Sequence, residues 1–356
     1  MGEPMIRSII TGTGSYIPEI KVANATFADH LFLDKEGAPI KHDNSLIIKK
    51  FQDITGIAER RYARPGQLAS DLGVLAGEQA LSASAIDRET LDYIIVAHNF
   101  GNLAHGSNRS NLLPSMASRI KAGLRIENPD CVGYDLPFGC PGWLQGVIQA
   151  HLFMKAGEAK RCLVIGTETL SRLVDPHDRD SMIYSDGSGA VVLEAKEGEQ
   201  GVIGHKTQTF ALHHSELLNM GPSYSGEGQG LFIKMNGRKV YEFALNHVPL
   251  VVKSVLDKAG VHIREIKKVL IHQANEKMDN AILERLFKLY GIDTVPEGIM
   301  PMTIGWLGNS SVATVPTLLD LVLKVKMEGH HIQAGDNIVM ASVGAGMNIN
   351  ALLYRF

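Results

Sequence analysis

Three residues stand out for their chemistry in this chain of 356 residues. Cys140 sits in Asp135-Leu-Pro-Phe-Gly-Cys-Pro-Gly-Trp143, between a strand-like and a helix-like segment. Pro141 suits the first position of a helix, because its missing N–H would be unpaired there anyway. A cysteine at that helix end would be favoured as thiolate. The segment behind it is apolar nearly all round (Trp143, Leu144, Val147, Ile148, Leu152, Phe153), so the helix belongs inside the molecule. His272 ends the strand-like Lys267–His272 and opens His272-Gln-Ala-Asn275, at a strand's carboxyl end, where α/β sheets place their sites. Asn309, in Gly308-Asn-Ser-Ser311, occupies a second strand-to-helix turn. A thiol, an imidazole and a carboxamide on such turns form a set suited to nucleophilic catalysis. Each also has a plainer reading: a core cysteine, a satisfied core histidine, a helix-capping asparagine. The glycines of Val343-Gly-Ala-Gly-Met347 would let backbone N–H groups approach a ligand.

The remaining reactive side chains point elsewhere. Cys131 and Cys162 lie on apolar strands and read as core. Three cysteines are too few for a disulfide scaffold, and no C-x-x-C spacing marks a zinc site. Asp175, His177, Asp178 and Asp180 lack regular ligand spacing and read as a solvated loop, so no metal is expected. His213-His214 and His330-His331 are adjacent pairs, and neighbours do not share a helix face. Gly12 and Gly14 lack the third glycine of a dinucleotide fingerprint, so no cofactor is expected.

The elements that must position these groups alternate between helix and strand. Ile6–Ser15 reads as a buried strand running into a glycine turn, residues 24–50 as irregular with a polar surface insertion at Asp34–Asn44, and Ala69–Ala85 as a helix. Strands follow at Asp92–His98 and Cys131–Asp135, then a helix from Pro141 to Lys155 closed by Gly157, and a strand at Arg161–Gly166. A turn is expected around Asp186-Gly-Ser-Gly189, then another strand. The second half repeats the plan: a helix at Val240–Ala259, the Lys267–His272 strand, a helix at Val312–Met327, and a strand at Asp336–Ser342. Ala69–His98 thus matches Val240–His272, and Gly139–Gly166 matches Gly305–Ser342. Two copies of one α/β unit account for the length, with 1–200 and 201–356 as the halves and the loop Glu194–Gly204 as their junction.

Composition removes several function classes. Charged residues make up 21% and the net charge is −3, so no basic footprint for nucleic acid exists. No apolar run reaches about 18 residues, so no membrane span is expected. The start, Met1–Ile6, lacks a basic segment followed by an apolar run, and lacks the Ser or Thr of an N-myristoylation signal. A reduced, cytoplasmic protein is the expectation.

With these motifs in place, the sequence resembles the thiolase superfamily, and within it the β-ketoacyl-acyl-carrier-protein synthase III family. The resemblance runs nearly end to end: Thr55-Gly-Ile-Ala-Glu-Arg-Arg61, the Cys140 turn, Asp175-Pro-His-Asp-Arg179, Ser185-Asp-Gly-Ser-Gly-Ala190, His272-Gln-Ala-Asn275, Gly308-Asn-Ser-Ser311 and Arg355-Phe356. It implies an α/β fold of five layers, α-β-α-β-α, made of two similar halves, and a homodimer. It implies that Cys140 accepts an acyl group from an acyl-CoA or acyl-carrier-protein primer, and that malonyl-acyl-carrier protein then loses CO₂. His272 and Asn309 would hydrogen-bond the malonyl thioester oxygen, while the N–H groups of Cys140 and Ala345 would form the oxyanion hole. No metal or redox cofactor enters that chemistry.

By the same resemblance, Arg179 matches a family arginine at the coenzyme A entrance, Trp306 is a substrate-binding residue, and Leu113 is the residue a partner chain lends to the acyl tunnel. The chain also departs from the family. Lys50 and Ile54 stand where members using acetyl-CoA carry Trp and Arg, Ala345 replaces a glycine, and extra residues lie near Tyr290–Ile304. Acidic carrier protein requires a basic docking patch. The window Arg264–Lys288 holds six Lys and Arg against four acids, with Lys277 the best single candidate. The resemblance points to initiation of fatty-acid chains. A specialised ketosynthase making an alkylresorcinol or quinolone-type product is the alternative within the fold, and a non-catalytic carrier-binding scaffold the alternative outside it.

Overall fold

The computed structural model describes residues 6–356; the Met1–Met5 stretch, read above for leader features, lies outside the described residues. The first half runs β1 (Ile6–Tyr16), β2 (Ile20–Ala23), α1 (Asn44–Thr55), β3 (Glu59–Tyr62), α2 (Ala69–Ser84), β4 (Tyr93–Ala97), α3 (Met116–Gly123), β5 (Val132–Leu136), α4 (Gly142–Ala156), β6 (Arg161–Thr169) and β7 (Asp186–Glu197). The second runs β8 (Gly201–Thr209), α5 (Ala211–His214), β9 (Leu218–Gly221), β10 (Phe232–Met235), α6 (Gly237–Ala259), β11 (Ile266–Ile271), α7 (Glu276–Lys288), α8 (Ile304–Leu307), α9 (Thr314–Leu323), β12 (Asn337–Gly344) and β13 (Asn348–Arg355).

One five-stranded sheet has the order β1-β7-β6-β4-β5, and one four-stranded sheet the order β11-β12-β13-β8. The first sheet has β5, β4 and β6 parallel and the second β11 and β12 parallel; in each the next two strands are added antiparallel. The strands are apolar on both faces, as a sheet covered on both sides requires. Because side chains alternate along a strand, Ile94, Val96, Leu163 and Ile165 face α2 and α3, while Ile95, Ala97 and Val164 face the opposite way. In the second sheet Val269, Ile271, Val339 and Ala341 face α6 and α7, while Leu270, Ile338 and Met340 face inward. Between the sheets lie α4 and α9. The result is the five-layer α-β-α-β-α arrangement of two similar halves.

Several local readings change. The glycines of β1 make no turn; the strand passes through them to pair with β7. A Cβ at Gly12 or Gly14 would sit 2.2 Å from a backbone oxygen of α2, so the glycines exist to let that helix pack closely. Asp186-Gly-Ser-Gly189 likewise belongs to β7, where a Cβ on Gly189 would meet Pro316 of α9 at 2.7 Å. Most of the expected junction loop is strand, since β7 continues to Glu197 and β8 begins at Gly201. The C-terminal part of 24–50 contains α1, whose start is capped by the Asp43 side chain on Ser45 N–H and whose end is Gly56 with φ 77°. The helix expected at Val312–Met327 is shorter: α9 ends at Leu323, and the chain turns through Val325 at φ 53°.

A buried polar cluster ties the halves. Asp320 of α9 accepts hydrogen bonds from Thr13 Oγ1 (2.7 Å) and Ser15 Oγ (2.6 Å) of β1, and pairs with Lys324 (2.6 Å). Removing it strands two buried hydroxyls. Asp320→Ala is expected to destabilise the protein by about 3 kcal/mol, read as a lowered urea midpoint at unchanged slope.

Candidate active site

Cys140 sits in the turn between β5 and α4. Pro141 takes the capping position, with φ −67° and ψ −5°, and the helix begins at Gly142, one residue later than the sequence predicts. Gly139, at φ 67°, turns the chain, and its carbonyl accepts from Gly142 N–H at 3.0 Å. The turn is pressed against the end of β12. A Cβ on Gly344 would lie 2.5 Å from Cys140 N, and one on Gly139 would lie 2.8 Å from Ala345 N. Asn350 Nδ2 holds the Pro141 carbonyl at 2.9 Å from the second sheet. The backbone amides of Cys140 and Ala345 are therefore brought side by side by the absence of two side chains.

His272 follows β11, where its N–H continues the ladder to Ala341 O at 2.8 Å. Gln273 buries its amide under the 301–304 segment, donating to Pro301 O (2.7 Å) and accepting from Thr303 N (2.7 Å) and Ile304 N (3.0 Å). Asn275 caps α7 through Met278 N at 3.0 Å. Of the His-Gln-Ala-Asn motif, His272, Ala274 and Asn275 line the cavity, while the Gln273 and Asn275 side chains hold the backbone around it.

Asn309 is stitched into the first half by its backbone: its N–H donates to Ile183 O, and its carbonyl accepts from Ser185 N–H, both at 2.9 Å. Its Oδ1 accepts from Ser311 N–H at 2.8 Å. The carboxamide orientation is thereby fixed, and Nδ2 is left as the donor for the cavity. Thr314 Oγ1 donates to Ser311 O at 2.8 Å and lies 2.5 Å from His272 Nδ1. The single hydroxyl proton can serve either partner: on the Ser311 carbonyl it leaves the imidazole proton at Nδ1, and on Nδ1 it leaves that proton at Nε2.

Cys140, His272, Asn309, Arg179 and Ala345 line one cavity of about 1060 Å³. Its wall is largely apolar, including Phe51, Phe100, Leu170, Ile183, Met220 and Ile233, and the exposed cations Lys35, Lys50, Arg179 and Arg238 line it as well. Trp306, Leu113 and Lys277 do not line it. The Trp306 ring lies 5.7 Å from the Arg61 guanidinium carbon. Leu113 is 86% exposed, and Lys277 is exposed in the first turn of α7. Two sequence expectations are corrected. Burial pushes the Cys140 thiol up to about 11, with the neighbouring Glu168 adding to the rise, so desolvation outweighs the helix end and the resting group is a thiol. Burial also pulls His272 down to about 4, so the pair is neutral. The Asp175 loop is not solvated: Asp175 is buried, with Lys234 Nζ 2.5 Å from Asp175 and 3.3 Å from Asp178.

The sequence reading missed α1 as a cavity wall, although Asp43, Gly56 and the spacing of Ile47 and Phe51 signal it. It also missed Ser311, Asn99, Glu168 and Thr314, whose roles rest on contacts between distant segments.

Two family models match the chain, 3-oxoacyl-[acyl-carrier-protein] synthase III over residues 134–210 and its C-terminal domain over residues 256–356. The β-ketoacyl-[acyl-carrier-protein] synthase III of Bradyrhizobium diazoefficiens is 30% identical, with 99% of each chain aligned. That of Vibrio vulnificus is 32% identical, over 98% of this chain and 99% of its own. The chain belongs to the 3-oxoacyl-[acyl-carrier-protein] synthase III family. The solved synthase III of Thermus thermophilus is 28% identical and superposes with a TM-score of 0.81 over 98% of both chains. As a member of this family, the protein is a condensing acyltransferase with the thiolase-like fold. Among the described residues, no helix is long and apolar enough to cross a membrane, and no group of three or more His, Cys, Asp or Glu could hold a metal ion.

Two measurements test the geometry of this synthase III site. Gly344→Ala would push Cβ into the Cys140 turn, and is expected to cut acyl transfer at least about a hundredfold while the circular dichroism spectrum stays that of the folded protein. Alkylation of Cys140 by iodoacetamide is expected to rise about tenfold per pH unit from pH 7 to 10 without a plateau near neutrality, since the thiolate fraction grows until the pH reaches about 11.

Proposed function

We propose that the protein carries out decarboxylative Claisen condensation by a two-step route through an acyl-cysteine. Cys140 takes the acyl group of a primer thioester, an acyl-CoA or an acyl-carrier protein. Malonyl-acyl-carrier protein then enters, loses CO₂, and its enolate attacks the acyl-cysteine to give a 3-oxoacyl-carrier protein. The observation that carries this reading is the single cavity lined by Cys140, His272 and Asn309, with the Asn309 carboxamide fixed so that its NH₂ is free for a ligand.

The N–H groups of Cys140 and Ala345 donate to the acyl carbonyl oxygen in both steps, a role supported by the close approach of Gly344 to Cys140 N and of Gly139 to Ala345 N. Asn309 Nδ2 donates to the malonyl thioester oxygen, which becomes the enolate oxygen. His272 adds a second donor once its proton sits on Nε2. Rotation of the Thr314 hydroxyl from Ser311 O to Nδ1 permits that tautomer, at the cost of one hydrogen bond. Each such donor in a water-poor site is worth about 3–4 kcal/mol of barrier.

Arg179, with the other exposed cations of the cavity, suits the phosphates of a pantetheine-bearing carrier. Lys277 supports docking of the acidic carrier protein, Leu113 completes the acyl tunnel of a partner chain in a homodimer, and Trp306 contributes at the substrate entrance. The halves 1–200 and 201–356 supply, respectively, the nucleophile and the decarboxylation residues, in a cytoplasmic enzyme that starts fatty-acid chains.

Intact-protein mass spectrometry tests this. Incubation with a panel of acyl-CoAs and acyl-carrier proteins is expected to give one acyl adduct that Cys140→Ala abolishes; no adduct from any primer would sink the reading. His272→Ala is expected to keep the adduct and lose CO₂ release from malonyl-carrier protein by about a hundredfold or more. Equal loss of both half-reactions would contradict the division of roles.

A further inference from the structure

The resting thiol is a poor nucleophile, and its surroundings contain one group that can correct this. Ser311 Oγ donates a hydrogen bond to Cys140 Sγ at 3.3 Å. Asn99 Nδ2 donates to the same oxygen at 3.1 Å, taking one of its lone pairs and favouring the orientation that aims the O–H at the sulfur. Asn99 is itself clamped: its backbone N–H and its Nδ2 both donate to Glu168 Oε1 at 2.7 Å. Glu168 is fully buried at the end of β6. The chain Glu168–Asn99–Ser311–Cys140 thus joins the two halves and ends on the sulfur.

The backbone gives an independent sign. Ser311 has φ 53°, a left-handed conformation uncommon for a residue with a side chain, and it lies beside the nucleophile. In that conformation one residue reaches all three reactive groups. Its N–H fixes Asn309, its carbonyl takes the Thr314 hydroxyl that neighbours His272, and its hydroxyl meets Cys140. Only the last of these contacts needs the serine side chain.

We propose that the Ser311 hydroxyl is a catalytic hydrogen-bond donor to the Cys140 sulfur, with Asn99 and Glu168 as the positioning residues that aim it. The proposal rests on the acyl-cysteine reading for its role in turnover. During acylation, Sγ bonds to the primer's carbonyl carbon, the primer's own C–S bond breaks, and the thiol proton leaves with the departing sulfur. During condensation, the enolate carbon bonds to the acyl carbon, the Cys140 S–C bond breaks, its electron pair returns to Sγ, and a proton from solvent water restores the thiol. Sulfur carries negative charge in both steps, and one donor serves both.

The charges around the sulfur set the expected signs. The titratable groups nearest to it are Glu168, Tyr184 and His272. Burial keeps the phenol and the imidazole neutral. Burial also raises Glu168 to about 7, while His98 and the Asn99 hydrogen bonds oppose the rise. Ionised Glu168 opposes a thiolate, whereas the Ser311 hydroxyl favours one.

The test is the pH dependence of Cys140 alkylation by iodoacetamide, followed by intact mass, which needs no substrate and stands apart from the acyl-cysteine reading. Ser311→Ala and Ser311→Gly are expected to slow alkylation at a given pH by about tenfold or more. Glycine accepts the left-handed backbone, so that variant keeps the fold and the main-chain contacts. Glu168→Gln retains an acceptor for Asn99 and removes the charge, and is expected to speed alkylation between pH 7 and 9. Opposite shifts from the two positions support the proposal, because a merely structural role would move both the same way. An unchanged rate in both Ser311 variants would overturn it. If alkylation behaves as expected but no primer acylates the protein, the donor stands and the acyl-cysteine reading fails.

Discussion

The structure depends on burying two apolar helices, α4 and α9, back to back with a sheet on each side. α9 is buried along most of its length and α4 along its first three turns, with only the C-terminal turn of α4 reaching solvent. Stacking the two sheets across them provides that cover. Stacking brings their N-terminal turns together at the same end of the layer. There, a Cβ on Gly142 would contact Val312 at 3.3 Å, and one on Gly166 would meet Val312 O at 2.3 Å. Cys140 precedes one helix, and Asn309 and Ser311 precede the other. The site is thus a consequence of how the core closes.

The same constraint shapes the chemistry. A nucleophile placed at a buried seam loses water, and water is what stabilises a thiolate. The helix end cannot compensate, so the resting state of Cys140 is neutral. Such a site must supply its charge stabilisation through fixed donors at the moment of reaction. In the proposed mechanism the backbone amides of Cys140 and Ala345, at the glycine contacts, would do this, and the left-handed Ser311 would do it with a hydroxyl while its N–H orients Asn309. Oriented donors in a dry pocket need no reorganisation when charge develops.

Around this rigid centre the cavity wall is drawn from segments of a different kind. Helix α1 contributes Phe51 and Lys50, and the β9–β10 pair contributes Met220 and Ile233. These lie outside the repeated unit, so the wall can vary without disturbing the five layers.

Much was legible in the sequence. Periodicity located the core strands and helices, and the order of elements revealed the repeat, because burial on one helical stripe or both strand faces leaves a direct mark on residue types. Cys140, His272 and Asn309 could be singled out because each follows or precedes an element whose hydrophobic pattern is plain. Glycines were harder. Gly12, Gly14 and Gly189 read as turns but serve close helix packing, since a missing side chain looks the same whether it frees a dihedral angle or admits a neighbour. Helix α1 was hidden because its stripe is short and its flanks are polar. The sequence by itself determined the layers and named the reactive groups. Only the tertiary structure decided their protonation, the Thr314 partner of His272 and the link from Glu168 to the sulfur. Those depend on desolvation and on contacts between residues as far apart as Asn99 and Ser311, which no local pattern encodes.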